Sequence, residues 1–355
     1  MTGIVILSAA PIAVCAAAYF ARRFDAGKLF CVFCALFFFA LFGFGSGGEE
    51  YSRISLMYDT PAVQAEFIEG IQAPVGSALL MKLFSLFIND PRGYVLVVSL
   101  LESAAAALFM YFECSEPYSA GVVFTFCFAG RALTDSTFFI AALICAHSFV
   151  YIRERRFIRF SAVILLAACF EPCALILLPL YWLFLIPAFP ATAALSGLLF
   201  FIPVFFPELC AGILEFTDPF NRYNETRHIA CGIILAAAAL IFIAASAMFT
   251  KRDEYYGRLT PVFFAGALCT LASAFEPGLV PLSFMLAMPS AVILAPEARA
   301  IGRTFFDILF PRHKETARRI FLGTCLIIMF TFYFFDILSA DTVTGGFASA
   351  FITAS

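Results

Sequence analysis

The chain is built from run after run of apolar residues, among them 4 to 20, 29 to 45, 94 to 112 and 229 to 249. A membrane-spanning helix needs about 20 mostly apolar residues, because in hydrocarbon only hydrogen bonds made within the segment can satisfy its backbone. Further apolar runs fall at 119 to 151, 160 to 186, 193 to 206, 259 to 275, 279 to 294 and 320 to 335. Composition agrees. Hydrophobic residues make up 63% of the chain and charged residues 13%, with a mean hydropathy of +0.96, against about 45–50% and about 25% in a soluble domain. The fold class expected is therefore all-α: a polytopic transmembrane bundle of about 10–11 spans, short and re-entrant helices included, forming one integral membrane domain over 1 to 355.

Basic residues orient the bundle, since cytoplasmic loops carry an excess of Lys and Arg. Arg153, Arg155, Arg156 and Arg159 mark one such loop, Lys251, Arg252 and Arg258 a second, and Arg299, Arg303, Arg312, Lys314, Arg318 and Arg319 a third. The N-terminus, the loops at 46 to 93 and 207 to 228, the turn at 131 to 136 and the C-terminal tail then lie outside. The apolar run 4 to 20 precedes Arg22, Arg23 and Lys28, the reverse of a secretory signal, so it reads as a retained span. Passing from 153–159 inside to 207–228 outside takes an odd number of crossings, so 160 to 186 or 193 to 206 must be re-entrant. Glu171-Pro172 is the natural break, because proline removes a helix donor and clashes with the turn before it. In the loop at 46 to 93, the apolar part from Val75 to Ile88 carries Lys82 and is short for a span. It reads as an interfacial or re-entrant helix.

Several functions are excluded at this level. A net charge of -3 and the lack of any basic run interleaved with aromatics offer no nucleic-acid surface. The twelve cysteines are scattered through apolar stretches as packing residues. Cys31 and Cys34 have redox or metal spacing, but no second Cys pair or nearby His accompanies them, and His147, His228 and His313 are far apart. No metal site and no cofactor is expected.

Ionisable residues inside the membrane are costly and so point to function. Arg131 and Asp135 stand between two short apolar runs, Glu171 lies in the middle of another, and Glu276 closes a fourth. Each could instead cap a helix or snorkel to the interface; Arg131 and Asp135 could pair across one helical turn. Phe170-Glu171-Pro172-Cys173 and Phe275-Glu276-Pro277-Gly278 share a pattern too short to establish a repeat. The outer loop ending in Asp218-Pro219-Phe220-Asn221-Arg222-Tyr223-Asn224-Glu225 mixes charge, amides and rings. That composition suits a sugar-binding surface, as it suits an ordinary solvated loop.

The order of these features resembles the EpsG family of bacterial exopolysaccharide proteins, which is similar to the Wzy-type polysaccharide polymerases. The resemblance runs from about residue 40 to 190 and more weakly to 295. Gly48-Glu49-Glu50-Tyr51 stands where the family has Gly-x-Asp-Tyr, and Ala73-Pro74 followed by Leu79-Leu80-Met81-Lys82-Leu83 stands where it has Glu-Pro before a Leu-rich helix. Arg131-Ala132 occupies the place of its Arg-Gln-x-x-Ala motif, 152 to 160 that of its basic turn, and Phe170-Glu171-Pro172-Cys173-Ala174 that of its Phe-His-x-Ser-Ala motif. The Gln and the His are missing here.

The resemblance implies assembly of lipid-linked glycans at the outer face of the bacterial cytoplasmic membrane, the substrate being a polyprenyl-diphosphate-linked repeat unit. Arg131 would hold the donor diphosphate, as a buried guanidinium offers a bidentate fork and a charge to stabilise the leaving group. Glu50 or Glu171 would take the proton of the attacking sugar hydroxyl. Arg222 would be a second phosphate or sugar contact, and Glu49, Tyr51, Asp135 and Tyr223 would complete the substrate-binding set. Two other roles are open: a flippase or transporter for the same lipid-linked sugar, or a scaffold in a glycan-assembly complex. A polar path across the membrane would favour transport; polar residues gathered on one outer face, as in the topology above, favour an enzyme.

Overall fold

The computed structural model describes residues 2–45, 54, 75–128, 136–185, 254–272, 279–309 and 315–316. Among them are ten α-helices and no strand: α1 (Thr2–Arg23), α2 (Gly27–Gly45), α3 (Val75–Ser85), α4 (Pro91–Glu113), α5 (Pro117–Cys127), α6 (Ser136–Arg153), α7 (Phe157–Phe170), α8 (Leu177–Leu185), α9 (Glu254–Ala272) and α10 (Val280–Leu309). The chain divides into two compact units, Met1–Leu143 with Leu322–Ser355, and Ile144–Phe321. The expected spans at 193 to 206, 229 to 249 and 320 to 335 lie outside the described residues.

In the first unit α2 is the central helix. Phe30, Cys31, Cys34, Phe38, Leu41 and Phe42 are buried, whereas Leu29, Val32 and Leu36 on the opposite face are 55–68% exposed. Helix α4 also buries polar groups: Ser99, Glu102 and Ser103 are buried while Leu100, Leu101, Leu108 and Phe112 are exposed. Polar groups inside and large apolar groups outside suit a bundle solvated by lipid. Small residues let the helices approach. A Cβ on Gly43 would lie 3.0 Å from Leu96 Cδ2, bringing α2 against α4, and one on Gly121 would lie 2.8 Å from the Phe30 ring, bringing α5 against α2. Aromatic rings fill what remains: Phe38–Phe124 at 5.0 Å, Phe42–Phe139 at 5.5 Å and Phe124–Phe139 at 6.0 Å.

The helix ends are explicit. Asp25, with φ 51°, closes α1 in the left-handed conformation, its N–H donating to Arg22 O while Ala26 N–H donates to Ala21 O at 2.8 Å. This is a Schellman end. Tyr118 donates its hydroxyl to the same Ala21 carbonyl at 3.4 Å, and Arg22 pairs with Glu116 at 3.1 Å, so the end of α1 is tied to the start of α5. Asp90 caps α4, accepting from Arg92 N–H at 2.9 Å, with Pro91 in the first turn where its missing N–H costs nothing. Asp90→Ala should lower stability by about 1 kcal/mol, read as a lower thermal midpoint of the detergent-purified protein.

Helix α3 lays Leu80, Met81 and Phe84 against Ile54, Tyr94, Val95 and Val98. Its other side, Val75, Leu79 and Leu83, continuing into Leu86 and Phe87, is exposed. Two apolar faces on one short helix are what a segment lying between protein and lipid requires.

In the second unit α6 ends at Arg155, again left-handed with φ 57°, through Arg156 N–H to Tyr151 O and Arg155 N–H to Ile152 O. Helix α7 buries Phe160, Ile164, Ala167 and Phe170, stops at Glu171, and gives way to a 3₁₀ turn over Pro172–Ile176 and then α8. Helix α8 runs back along α7: Tyr181 and Trp182 pack on Phe157 at 5.1 and 5.2 Å, and Tyr181 on Phe160 at 5.2 Å. The described part of the run 160 to 186, up to Leu185, is thus a helical hairpin. Helices α9 and α10 cross so closely that a Cβ on Gly266 would sit 2.6 Å from the backbone nitrogen of Ala287.

Three helices in the described residues are long and apolar enough to cross a membrane, with windows at Gly27–Phe44, Pro91–Glu113 and Pro281–Ala300. Helix α10 is longer than the apolar run 279 to 294 announces. Its 30 residues rise about 45 Å, more than the roughly 30 Å of hydrocarbon. The excess carries the exposed Arg303 beyond the apolar window. Hydropathy marks where lipid ends, not where the helical hydrogen bonds end.

Candidate active site

The backbone geometry of Glu171 sets it at the tip of the α7–α8 hairpin. Its φ of −148° and ψ of 108° are extended, because the residue before proline is pushed out of the helical region. Its N–H still donates to Ala167 O at 2.9 Å, and its carbonyl accepts from Ala174 N–H at 3.0 Å, closing the 3₁₀ turn. Glu171, Cys173 and Ala174 are all 0% exposed. Wholly buried carboxylates are rare and strongly constrained. The helix break fixes the position of this one.

The remaining sequence-derived site residues, Glu49, Glu50, Tyr51, Arg131, Asp135, Arg222 and Tyr223, fall outside the described residues, as does Glu276. Their flanks are described. Helix α2 ends at Gly45, α5 is capped by Phe128, whose N–H donates to Phe124 O, and α6 starts at Ser136. The ring contacts of Phe139 with Phe42 and with Phe124 place these three helix ends at one end of the first unit.

Sequence reasoning missed Glu102. It lies at the centre of α4 (Pro91–Glu113), is 2% exposed, and has buried Ser99 and Ser103 on the same face. Ser103 turns its hydroxyl back to Leu100 O at 3.0 Å. The signal was present, since an acidic residue in the middle of an apolar run is costly wherever it occurs. Glu113, one further on that face by three helical turns, is buried as well.

Among the described residues no three His, Cys, Asp or Glu side chains converge as metal ligands. Glu102, Glu113 and Glu171 are the buried carboxylates among the described residues. The sequence matches the EpsG family over residues 28–352, nearly the whole chain. The chain belongs to the EpsG family. The match extends well beyond the motif-bearing stretch at 40 to 190 and includes residues 207 to 228 and α9–α10. Comparison with curated proteins and with solved structures returns no match. As an EpsG-family member with many apolar helices, this is a multi-pass membrane protein of polysaccharide biosynthesis.

Proposed function

We propose that this EpsG-family protein polymerises polyprenyl-diphosphate-linked oligosaccharide repeat units at the outer face of the cytoplasmic membrane. The observation that carries the reading is the buried Glu171 at the tip of the hairpin. The base of the hairpin holds the exposed Arg153, Arg155, Arg156 and Arg159, a cytoplasmic signature. From there the 14 residues of α7 rise about 21 Å into a hydrocarbon layer of about 30 Å. Glu171 then lies past the midplane, in the outer half. With a re-entrant hairpin, the chain crosses an odd number of times before 207 to 228, which the charge pattern demands.

In the reaction, a sugar hydroxyl of one repeat unit attacks the anomeric carbon of another. The bond from that carbon to the diphosphate breaks, and the polyprenyl diphosphate leaves. Glu171 or Glu50 accepts the hydroxyl proton; Arg131 neutralises the charge growing on the leaving diphosphate. Arg222, Tyr223, Glu49, Tyr51 and Asp135 line the path of the glycan, where rings stack on pyranose faces and polar groups bond hydroxyls. In support, the chain leaves the same end of the first unit towards Glu49–Tyr51 and towards Arg131 and Asp135.

One observation favours a second reading: a buried Glu102 between two serines at the centre of α4 is a polar group at mid-membrane, where a transporter binds its cargo. Cells lacking this protein distinguish the two. A missing polymerase leaves single lipid-linked repeat units exposed on the outer leaflet, open to an added glycosidase or lectin. A missing flippase leaves them inside, reached only after permeabilisation, and that result would overturn the polymerase reading.

A further inference from the structure

Three sulfur atoms from three separate elements of the second unit converge in its interior. Met285 on α10 places its Sδ 3.6 Å from Cys173 Sγ, in the 3₁₀ turn, and 4.0 Å from Cys145 Sγ, on α6. All three residues are 0% exposed. The backbone around them departs from regular helix: Ser148 donates its hydroxyl to the Cys145 carbonyl at 2.6 Å, Cys173 follows the Glu171-Pro172 break, and Met285 stands four residues before Pro289, which lacks the N–H that would bond the Met285 carbonyl.

We infer that Cys145, Cys173 and Met285 form a binding site for a soft monovalent cation, Cu(I). A metal about 2.3 Å from each of three sulfurs, the usual metal–thiolate length, holds them about 4 Å apart when it lies in their plane. The separations from Met285 to the two thiols match that spacing. Ligand softness selects the ion. Thioether with thiolate favours Cu(I), whereas structural zinc takes four nitrogen or sulfur ligands and magnesium or calcium takes oxygen. Among the described residues no trio of His, Cys, Asp or Glu offers such dications an alternative seat. Binding forms Cu–S bonds without electron transfer, and each thiol that coordinates gives up its proton to water. The site is independent of the polymerase reading, because its test reads metal and not polymer.

The same distances are also those of packed sulfurs in contact, so the test is a comparison of full-length proteins. Protein purified in detergent under reducing, anaerobic conditions is titrated with Cu(I) against a coloured Cu(I) chelator. The wild type should withdraw one equivalent from the chelator. Met285→Leu, which keeps the volume and therefore the fold, should weaken retention about tenfold or more, and Cys145→Ser with Cys173→Ser should abolish it. Cys169→Ser removes an exposed thiol and should change nothing. If the wild type retains no Cu(I), or if Met285→Leu and the double variant retain as much as wild type, the three sulfurs are packing groups and the inference fails.

Discussion

Leucine in place of Gly266 should leave no folded protein in the membrane. A Cβ at this position would lie 2.6 Å from Ala287 N, 2.8 Å from its Cα and 3.0 Å from its Cβ. The obstacles are mainly backbone, so no side-chain rotation relieves them; α9 and α10 must move apart. In a lipid-solvated bundle that separation is serious, because helix association there rests on close van der Waals packing rather than on escape from water. Alanine alone should cost about 1–3 kcal/mol, the usual range for overpacking, and leucine more than a marginal fold tolerates. Size-exclusion profiles of fluorescent fusions read both: a lowered thermal midpoint for Gly266→Ala, aggregate or no signal for Gly266→Leu. Gly27→Ala is the internal comparison. Its added Cβ would meet Pro117 Cγ at 3.5 Å and the Tyr118 hydroxyl at 3.6 Å, ordinary contacts, and should leave the profile unchanged.

The second large effect is expected at Glu171. Glu171→Gln keeps the size and shape of the side chain and removes its ability to take a proton. If this carboxylate accepts the proton of the attacking hydroxyl, polymer synthesis should fall by about 10²–10⁴-fold, the usual contribution of a positioned acid or base, with membrane abundance unchanged. Glu171→Asp retains a carboxylate about one carbon short and should recover part of the activity. A structural carboxylate would behave differently: abundance and thermal midpoint would fall together with polymer, and Asp would be no better than Gln.

Much of the helical architecture is legible in the sequence because lipid leaves the backbone little choice. The apolar runs from 4 to 20, 29 to 45, 94 to 112 and 259 to 275 return in α1, α2, α4 and α9 with ends displaced by a few residues, and at the end of α1 and the start of α4 capping, not hydropathy, decides. The split of 119 to 151 returns as α5 and α6. The Glu171-Pro172 break is legible for a local reason, the conformational restriction that proline imposes on itself and its predecessor. What sequence alone left open was which way the chain goes after the break. The ring contacts of Phe157 and Phe160 with Tyr181 and Trp182 decide that it returns.

Two features were out of reach or overlooked for different reasons. The convergence of Cys145, Cys173 and Met285 brings together residues 112 and 140 positions apart, and nothing in a hydropathy pattern encodes such pairings. Glu102 was legible as a charge in the middle of the apolar run 94 to 112, and Ser99 and Ser103 beside it were further polar marks. The site proposed from Glu49, Glu50, Tyr51, Arg131, Asp135, Arg222 and Tyr223 rests on residue chemistry and family resemblance, with Glu171 as its structurally described member.

The central claim is that this chain joins lipid-linked repeat units. The direct measurement is reconstitution of the purified full-length protein in lipid nanodiscs with polyprenyl-diphosphate-linked repeat units as its sole substrate, followed by chain length on a gel. Ladders of two or more repeats with the wild type, and their loss with Arg131→Ala and Glu171→Gln at equal protein, are the predicted result. Single repeat units unchanged by folded wild-type protein, or ladders made equally well by all three proteins, would contradict it.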